Sequence, residues 1–216
     1  MFRSQPAKLH DCQVHGSGSG AELFVVEGDS ASMAVARARD ARFQAVLPMQ
    51  GKPLNALKAS KRTLSKHAWF AAFIDSVGTD CGDYFHLDAI RYDRIVLLFD
   101  PDADGIHCGA LMMMFFYRWM RPLLEHDRVG VVRAPMFEIT ARRYTDSILA
   151  YSETHYRKLR EQLDQQGIEG IQVNRFRGLA SLNETMLRET CIDPFTRSLA
   201  PIDVSDAETA IRLFGG

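Results

Sequence analysis

Hydrophobic residues fall into two patterns along the first part of the chain, short continuous runs and stretches with helical spacing. The run over residues 23–26 predicts a short buried strand, and the segment after it predicts a helix with Asp29 or Ser30 as its N-cap. Residues 43–49 predict a second strand that ends in a turn containing glycine and proline. Apolar residues at helical spacing over residues 64–77 indicate another helical segment.

A second strand–loop–helix unit follows in the middle of the chain. Residues 95–99 form an uninterrupted apolar run of strand length, and Gly105 marks the turn into a helix that begins near His107. Residues 128–139 predict one further strand. Because strands and helices alternate, we expect an α/β fold with a largely parallel sheet flanked by helices.

The C-terminal part of the chain is more polar, and its pattern is predominantly helical. A polar helix is predicted to end at Gly167, and a basic loop, VNRFRG, precedes a second helix. The last helix is expected to carry a capping box of Ser205 with Glu208 and to end at Gly215. We therefore expect three segments: an N-terminal lead and flexible loop (1–20), an α/β domain (21–145) and a mainly helical tail (146–216).

Composition and charge narrow the class of protein. The chain has 216 residues, of which 46% are hydrophobic and 25% charged, as is typical of globular proteins. Its formal net charge of −1 excludes nucleic-acid binding by bulk charge alone, so any such contact depends on local basic clusters. The most apolar stretch, residues 110–124, contains Arg118 and Arg121, so it predicts a buried helix instead of a membrane span.

The cysteines and the N-terminus bear on the compartment. The four cysteines lie far apart and lack a spacing suited to zinc, so we expect reduced thiols. The N-terminal residues contain no apolar signal region. Together these features predict a cytoplasmic protein.

An acidic run follows the third predicted strand. Asp100, Asp102 and Asp104 stand at alternate positions, so in extended geometry their side chains project from the same side. Like charges held this close raise one another's pKa unless a cation lies among them. Hard oxygen ligands suit Mg²⁺ or Ca²⁺, and α/β sheets bind ligands at the carboxyl ends of their strands. The pattern predicts a divalent-cation site; the alternative is that these aspartates only decorate a strand end and cap the next helix.

The acidic run also resembles the first half of a calcium-binding EF-hand loop. A calcium-binding EF-hand loop would need a glutamate six residues after Gly105, where Leu111 stands, and an entering helix where a strand is predicted. The calcium loop is therefore excluded.

Glu27 ends the first predicted strand and should reach the same edge of the sheet. It is either a general acid/base beside a metal or an ordinary acid in the first turn of a helix.

The paired motifs VVEGDSA and FDPDADG resemble the signature of the TOPRIM fold, with a glutamate at one strand end and D-x-D-x-D-G after a later strand. Around them, PAKLHDC, LPMQGKPLNALKA, NRFRGLASLNETMLRETCIDP and DAETAIRLFGG resemble, in the same order, the C-terminal half of the B subunit of gyrase and topoisomerase IV. The resemblance runs from about residue 6 to residue 216 and includes neither the ATPase nor the transducer domain of such a subunit.

The resemblance implies a DNA cleavage and religation half-site of a type IIA topoisomerase. A tyrosine of a gyrase A or topoisomerase IV A-type subunit would attack the DNA, and the TOPRIM carboxylates would hold Mg²⁺, with two sites expected. Glu27 would be the general acid/base and a metal ligand. Asp100 and Asp102 would be the principal metal ligands, and Asp104 a supporting carboxylate. Neither ATP nor a membrane is expected to bind this chain.

Basic residues in the matching motifs fit a DNA surface. Lys52 matches the family's GK-x-LN turn, Arg175 and Arg177 lie in the NRFRG loop, and His107 follows the acidic run. We expect these four residues to contact DNA, although for His107 a local role at the helix start stays open. Phe176 is expected to be a packing residue rather than a base-stacking one. The basic residues from Lys61 to Lys66 are more typical of a solvated face.

The chain departs from the family near the expected metal site. Ser32 and Met33 replace two glycines, Ala36 replaces a lysine, and Ile106 and Gly109 replace a serine and an arginine. The four carboxylates are unaffected. Two alternatives to a cleavage half-site stay open: a non-catalytic module that binds and modulates a gyrase-type enzyme, and a TOPRIM nuclease that acts without a partner.

Overall fold

The computed structural model describes residues 8–215. Its strands are β1 (Glu22–Glu27), β2 (Gln44–Met49), β3 (Arg94–Leu98), β4 (Val129–Val132), β5 (Phe137–Thr140), β6 (Ile148–Ala150), β7 (Gln172–Arg175) and β8 (Leu199–Pro201). Its helices are α1 (Gly28–Ala38), α2 (Lys61–Lys66), α3 (Ala68–Val77), α4 (Ala103–Trp119), α5 (Arg121–Glu125), α6 (Glu153–Gln165), α7 (Glu184–Leu187) and α8 (Val204–Phe214). Residues 1–7 of the predicted N-terminal lead, and residue 216, lie outside the described part.

A five-stranded sheet in the order β2-β1-β3-β4-β8 forms the centre of the fold. Its first four strands are parallel to one another, and β8 pairs antiparallel with β4. Parallel neighbours need crossover connections, which helices supply here. A second, antiparallel sheet has the order β6-β5-β7, and Leu163 of α6 packs on it against Ile139 of β5.

The side chains of β1 alternate between two apolar layers, one on each face of the main sheet. Leu23 and Val25 lie in the layer that contains Phe70 of α3 and the buried side of α4. Phe24 and Val26 lie in the layer that contains the buried residues of α1 and α7. Because both faces are covered, β1 is apolar at consecutive positions instead of alternating with polar ones.

The predicted fold class is confirmed: a mainly parallel sheet is flanked by helices, and the C-terminal part contributes helices. α8 packs on α4, where Ala210 and Ile211 contact the cluster of Ala110, Leu111 and Met114. Strands β6, β7 and β8 also lie in residues 146–216, and the division of the chain into three segments stays a prediction. Within residues 8–215, no helix is long and apolar enough to cross a membrane.

The N-cap predicted for α1 is wrong. The helix begins at Gly28, and Glu27 occupies the N-cap position without capping through its side chain. The φ angle of Gly28 is 80°, a left-handed conformation that favours glycine, and it turns the chain directly from strand to helix. Asp29 and Ser30 therefore lie inside the first turn.

The start predicted for α4 is also wrong. Asp102 is its N-cap, and its Oδ1 atom accepts a hydrogen bond from the Gly105 N–H at 2.8 Å. Gly105 thus lies inside the helix, where a Cβ would overlap the carbonyl oxygen of Asp100. The helix begins before His107, and the extended geometry that would have aligned Asp104 with Asp102 does not persist.

Two elements in the middle of the chain are divided where the sequence predicts continuity. The helical segment over residues 64–77 breaks at His67, whose ring accepts the Phe70 N–H and caps α3. The single strand predicted over residues 128–139 is two strands in different sheets, β4 and β5. Pro135 lies between them and has no N–H for a strand ladder.

The C-terminal predictions need two corrections. The basic loop contains strand β7, which pairs with β5 and includes Arg175. The capping box of α8 joins Asp203 to Asp206 rather than Ser205 to Glu208, because the helix begins two residues earlier than predicted. The predicted end of this helix at Gly215 is confirmed.

Candidate metal centre

The two acidic segments meet because the strands before them are neighbours in the main sheet. β1 and β3 are parallel, and Val26 near the end of β1 pairs with Leu98 at the end of β3. Glu27 is the last residue of β1, and Asp100 follows β3 closely. Since the carboxyl ends of parallel strands lie at the same edge, both carboxylates leave the sheet on one side.

Glu27 is partly buried, and its Oε2 atom is buried without a hydrogen-bond partner among the described residues. Burial raises the pKa of Glu27, and the charges of Asp100, Asp102 and Asp104 raise it further, while Lys52 acts in the opposite direction. The structure therefore brings all four predicted carboxylates close enough to interact. A buried carboxylate oxygen without a donor is costly unless a cation or a proton reaches it.

Asp100 and Asp102 are held by backbone N–H groups from different parts of the chain. Asp102 caps α4, whereas Asp100 Oδ1 accepts a hydrogen bond from the Leu179 N–H at 2.9 Å. Burial raises the pKa of Asp100, the Leu179 bond lowers it and the charge of Asp102 raises it, with an upward net shift. Helix capping explains why one oxygen of Asp102 lies at the start of α4. It does not explain why Asp100 lies beside it.

Asp104 lies in the first turn of α4 and is exposed. Lys52 Nζ lies 2.6 Å from its Oδ1 atom, and this contact lowers the pKa of Asp104. Lys52 comes from the turn after β2, the neighbour of β1. The lysine therefore supplies a positive charge at the edge of the acidic group.

A second group of potential metal ligands lies outside the acidic run, and the cysteine spacing in the sequence did not predict it. Within residues 8–215, the only three metal-capable side chains whose ligand atoms all lie within 4.8 Å of one another are Asp11, Cys12 and His15. The guanidinium of Arg91 already donates to Asp11, and Tyr92 donates its hydroxyl to the same carboxylate at 2.6 Å. Burial raises the pKa of the Cys12 thiol, which donates to a backbone carbonyl. Asp11 therefore already has arginine as its counter-charge, and the trio needs no metal ion to balance it.

The carboxylates after β1 and β3 are more widely spaced than the ligand atoms of Asp11, Cys12 and His15. Their chemistry fits Mg²⁺. They offer hard oxygen ligands, they repel one another, and Glu27 has a buried oxygen without a donor. Mg²⁺ binds through one or two carboxylates and keeps several waters, so it does not need a tight cage of protein ligands. The residues present therefore fit this ion.

The predicted DNA-contacting residues have different surroundings. Arg177 opens the turn that reaches Asp100, next to the acidic group. Arg175 is engaged elsewhere, because its guanidinium lies 2.9 Å from Glu153. His107 stacks on Phe214 with ring centroids 6.1 Å apart, which is a local packing role. Contact with DNA stays a prediction for Lys52, Arg175, Arg177 and His107.

Other sequence-based expectations concern packing. Phe176 is only 8% exposed and lies in the apolar layer with α1, as predicted for a packing residue. Within residues 8–215 the four cysteines are free and buried, which agrees with reduced thiols. Sequence reasoning missed the contact of Gly178 and Leu179 with Asp100, because Leu179 and Asp100 are 79 residues apart and no local pattern joins them.

Comparison with known proteins identifies a family and relatives of this chain. The Toprim domain model matches residues 22–134. The DNA gyrase B subunit of Thermotoga maritima is 41% identical over 210 residues, which are 97% of this chain and 32% of that protein. The DNA gyrase B subunit of Archaeoglobus fulgidus is 38% identical over 214 residues, 99% of this chain and 33% of that protein. The DNA topoisomerase 4 B subunit of Enterococcus faecalis is 36% identical over 191 residues, 88% of this chain and 28% of that protein.

A parallel sheet with carboxylates after two neighbouring strands defines an α/β domain with an acidic site at its carboxyl edge. The chain belongs to the Toprim domain family. It is homologous to the B subunits of gyrase and topoisomerase IV, and the resemblance seen in the sequence is confirmed. The chain spans about a third of the length of the gyrase relatives it matches.

Proposed function

We propose that this chain is the Mg²⁺-dependent DNA cleavage and religation half-site of a type IIA topoisomerase and acts with an A-type subunit that supplies the nucleophilic tyrosine. The observation that carries the proposal is the buried, unpartnered Oε2 atom of Glu27 beside three aspartates at the edge shared by β1 and β3. The similarity to gyrase and topoisomerase IV B subunits supports the same activity class.

Glu27 is suited to move a proton in this reaction. Burial and the neighbouring aspartates raise its pKa toward the operating pH, which favours general acid/base catalysis. In cleavage it would take the proton of the partner's tyrosine hydroxyl, and in religation it would return that proton. Mg²⁺ held by Asp100, Asp102 and Glu27, with Asp104 in support and two ions expected, would stabilise the negative charge on the attacking and leaving oxygens.

The basic residues around the acidic group would hold the DNA backbone. Lys52 pairs with Asp104, and Arg177 opens the turn that holds Asp100, so a phosphate bound by these two residues would lie near the metal ligands. Arg175 would contribute less, because Glu153 already pairs with it. For His107, which stacks on Phe214, DNA contact would require an additional interaction at the exposed side of the ring.

The test is a cleavage assay with the purified chain, a gyrase A-type subunit, supercoiled DNA and Mg²⁺. We expect covalently trapped cleaved DNA only when both proteins and Mg²⁺ are present, and loss of cleavage with Glu27→Gln. Glu161→Gln, an exposed acid of α6 far from the acidic run in sequence, is the matched control and should cleave normally. Absence of cleavage with every A-type subunit tried would contradict the proposal.

Two further measurements separate the two other functions: inhibition of intact gyrase, and nicking of DNA without an A-type subunit. A non-catalytic module would inhibit intact gyrase, and the Asp100→Ala/Asp102→Ala double variant would inhibit it equally well. A nuclease acting alone would nick DNA in Mg²⁺ without any A-type subunit. Neither result is expected from the half-site proposed here.

A further inference from the structure

Asp100 is anchored by a turn that comes from the far end of the chain, residues 177–181. The Leu179 N–H donates to Asp100 Oδ1 at 2.9 Å. Among the described residues, Oδ1 accepts this one hydrogen bond and Oδ2 accepts none. By contrast, Asp102 is held by its own helix, and Asp104 by Lys52. Asp100 is thus the one aspartate of the acidic run whose position depends on the C-terminal segment.

The approach of this turn to Asp100 requires glycine at position 178. A Cβ atom on Gly178 would lie 2.7 Å from Asp100 Oδ2 and 3.1 Å from both Cγ and Oδ1. These separations are shorter than ordinary van der Waals contacts, so any side chain would displace the carboxylate or the turn. Glycine therefore permits the Leu179 N–H to come within hydrogen-bond distance of Asp100.

The turn itself is fixed in place. The hydroxyl of Ser181 donates to the Gly178 carbonyl oxygen at 2.6 Å and accepts from the Arg177 N–H at 3.1 Å. The apolar layer beneath, which also contains Val26 and Leu98, buries three side chains of this segment: Phe176, Leu179 and Leu182. Because these contacts tie the turn to the ends of β1 and β3, the Leu179 N–H forms a rigid support for Asp100.

We infer that Gly178 and the Leu179 N–H are positioning elements for the metal ligand Asp100: they hold one carboxylate oxygen so that the other stays available to a divalent cation. The inference rests on the part of the proposed function that makes Asp100 a metal ligand, and it does not require DNA cleavage. It gives the C-terminal segment a direct role in the metal site, in addition to the phosphate contact proposed for Arg177.

The test measures metal binding by the full chain, with Mn²⁺ as the probe and its free signal followed by electron paramagnetic resonance. Competition by Mg²⁺ identifies the common site. Changes in groups that orient a metal ligand typically weaken metal binding about 10- to 100-fold, and we expect a loss of this order for Gly178→Ala. Gly109→Ala is the matched control, because its Cβ would meet only Phe99 at an ordinary 3.9 Å, and it should bind Mn²⁺ like the wild type.

A double-mutant comparison shows whether the glycine acts through Asp100. In an Asp100→Ala background, Gly178→Ala should cause no further loss of Mn²⁺ affinity. The same further loss in both backgrounds would overturn the inference, as would unchanged affinity in Gly178→Ala alone. Thermal unfolding without metal checks that each variant folds; if Gly178→Ala does not, Ser181→Ala loosens the same turn and should weaken Mn²⁺ binding several-fold.

The two proposals fail separately. A wild-type chain that binds no Mn²⁺ contradicts the role of Asp100 and overturns the inference. A chain that binds Mn²⁺ and loses affinity in Gly178→Ala, yet never cleaves DNA with an A-type subunit, supports the inference and contradicts the proposed function.

Discussion

The two ends of β1 each carry a glutamate, and the structure surrounds them in opposite ways. Glu22 at the amino end is buried and paired: Arg197 donates to both of its carboxylate oxygens, and Gln44 donates to Oε2 at 3.0 Å. Glu27 at the carboxyl end has a buried oxygen with no donor in the described part of the chain, and its neighbours are other acids. One strand therefore carries a structural carboxylate and an unsatisfied one.

The same contrast extends along both edges of the sheet. Near the amino end, Asp93 accepts the Gly18 N–H at 2.6 Å and a guanidinium N–H of Arg128 at 2.9 Å. Burial raises the pKa of Asp93, but the bonds from Gly20, Gly18 and Arg128 outweigh it and leave the pKa below its usual value. At the carboxyl end, the pKa of Glu27 is raised. Carboxylates left unsatisfied at a strand end are typical of functional sites, because folding alone would favour their pairing.

The largest effect is expected at the unsatisfied end. In Glu27→Gln, the rate of DNA cleavage with an A-type subunit should fall about 10²- to 10⁴-fold, the usual contribution of a general acid/base. Stability without metal should be unchanged or higher, because the variant removes a charge that three aspartates repel. Cleavage rates and urea unfolding check the two parts. Lost stability together with lost cleavage would make Glu27 a structural residue.

The opposite pattern is expected for the buried pair at the other end. Glu22→Gln leaves Arg197, whose side chain is 2% exposed, without its counter-charge, and breaking such a pair costs about 3–5 kcal/mol of stability. Urea unfolding measures the loss. The control is the double variant Glu22→Leu/Arg197→Met, which removes both charges and should recover most of the stability. No recovery would mean that lost packing, and not the unpaired arginine, explains the single variant.

A pH-dependent effect is expected at Asp11. Burial raises its pKa, but hydrogen bonds from His15, Tyr92 and Arg91 outweigh burial and lower it from 3.8 to about 2. A lowered pKa stabilises the fold above the ordinary pKa, and this contribution is lost as the pH falls toward about 2. Asp11→Asn should therefore cost about 2 kcal/mol at pH 7 and progressively less below pH 4. A wild-type-minus-variant difference that stays constant from pH 7 to pH 3 would contradict this assignment.

The smallest effect concerns DNA contact. Arg177→Ala should weaken binding of a short duplex and reduce the salt dependence of the binding constant by about one phosphate contact. Arg175→Ala should change binding less, because Glu153 pairs with that guanidinium at 2.9 Å. Titrations at several salt concentrations measure both. Equal losses in the two variants would show that the ion pair with Glu153 opens on DNA.

The acidic site was predictable from sequence because its parts are local. The alternate spacing of Asp100, Asp102 and Asp104, and the strand-end position of Glu27, are visible in short stretches of the chain. What could not be predicted is how each acid is held. The contacts of Asp100 with Leu179 and of Glu22 with Arg197 join positions 79 and 175 residues apart, and no periodic pattern encodes them.

The wrong predictions about the fold also concern positions where contacts distant in sequence or backbone geometry decide the structure. Glycine is typical of turns, yet Gly28 is the first residue of α1 and Gly105 lies near the start of α4. Gly28 is favoured by its left-handed φ, and Gly105 by the close approach of the Asp100 carbonyl oxygen. The polar residues of β7 predict a loop, and they form a strand only by pairing with β5. Tertiary pairing overrides local preference at these positions.

A Mg²⁺ titration of the wild-type chain and of the Asp100→Ala/Asp102→Ala double variant, each with a short DNA duplex, tests most directly whether the carboxyl edge of the sheet binds metal. A ligand that binds only the folded state raises the unfolding temperature as its concentration increases. We predict that Mg²⁺ raises the midpoint of the wild type and leaves that of the double variant unchanged. Equal rises in both proteins, or none in either, would contradict a metal site built from these carboxylates.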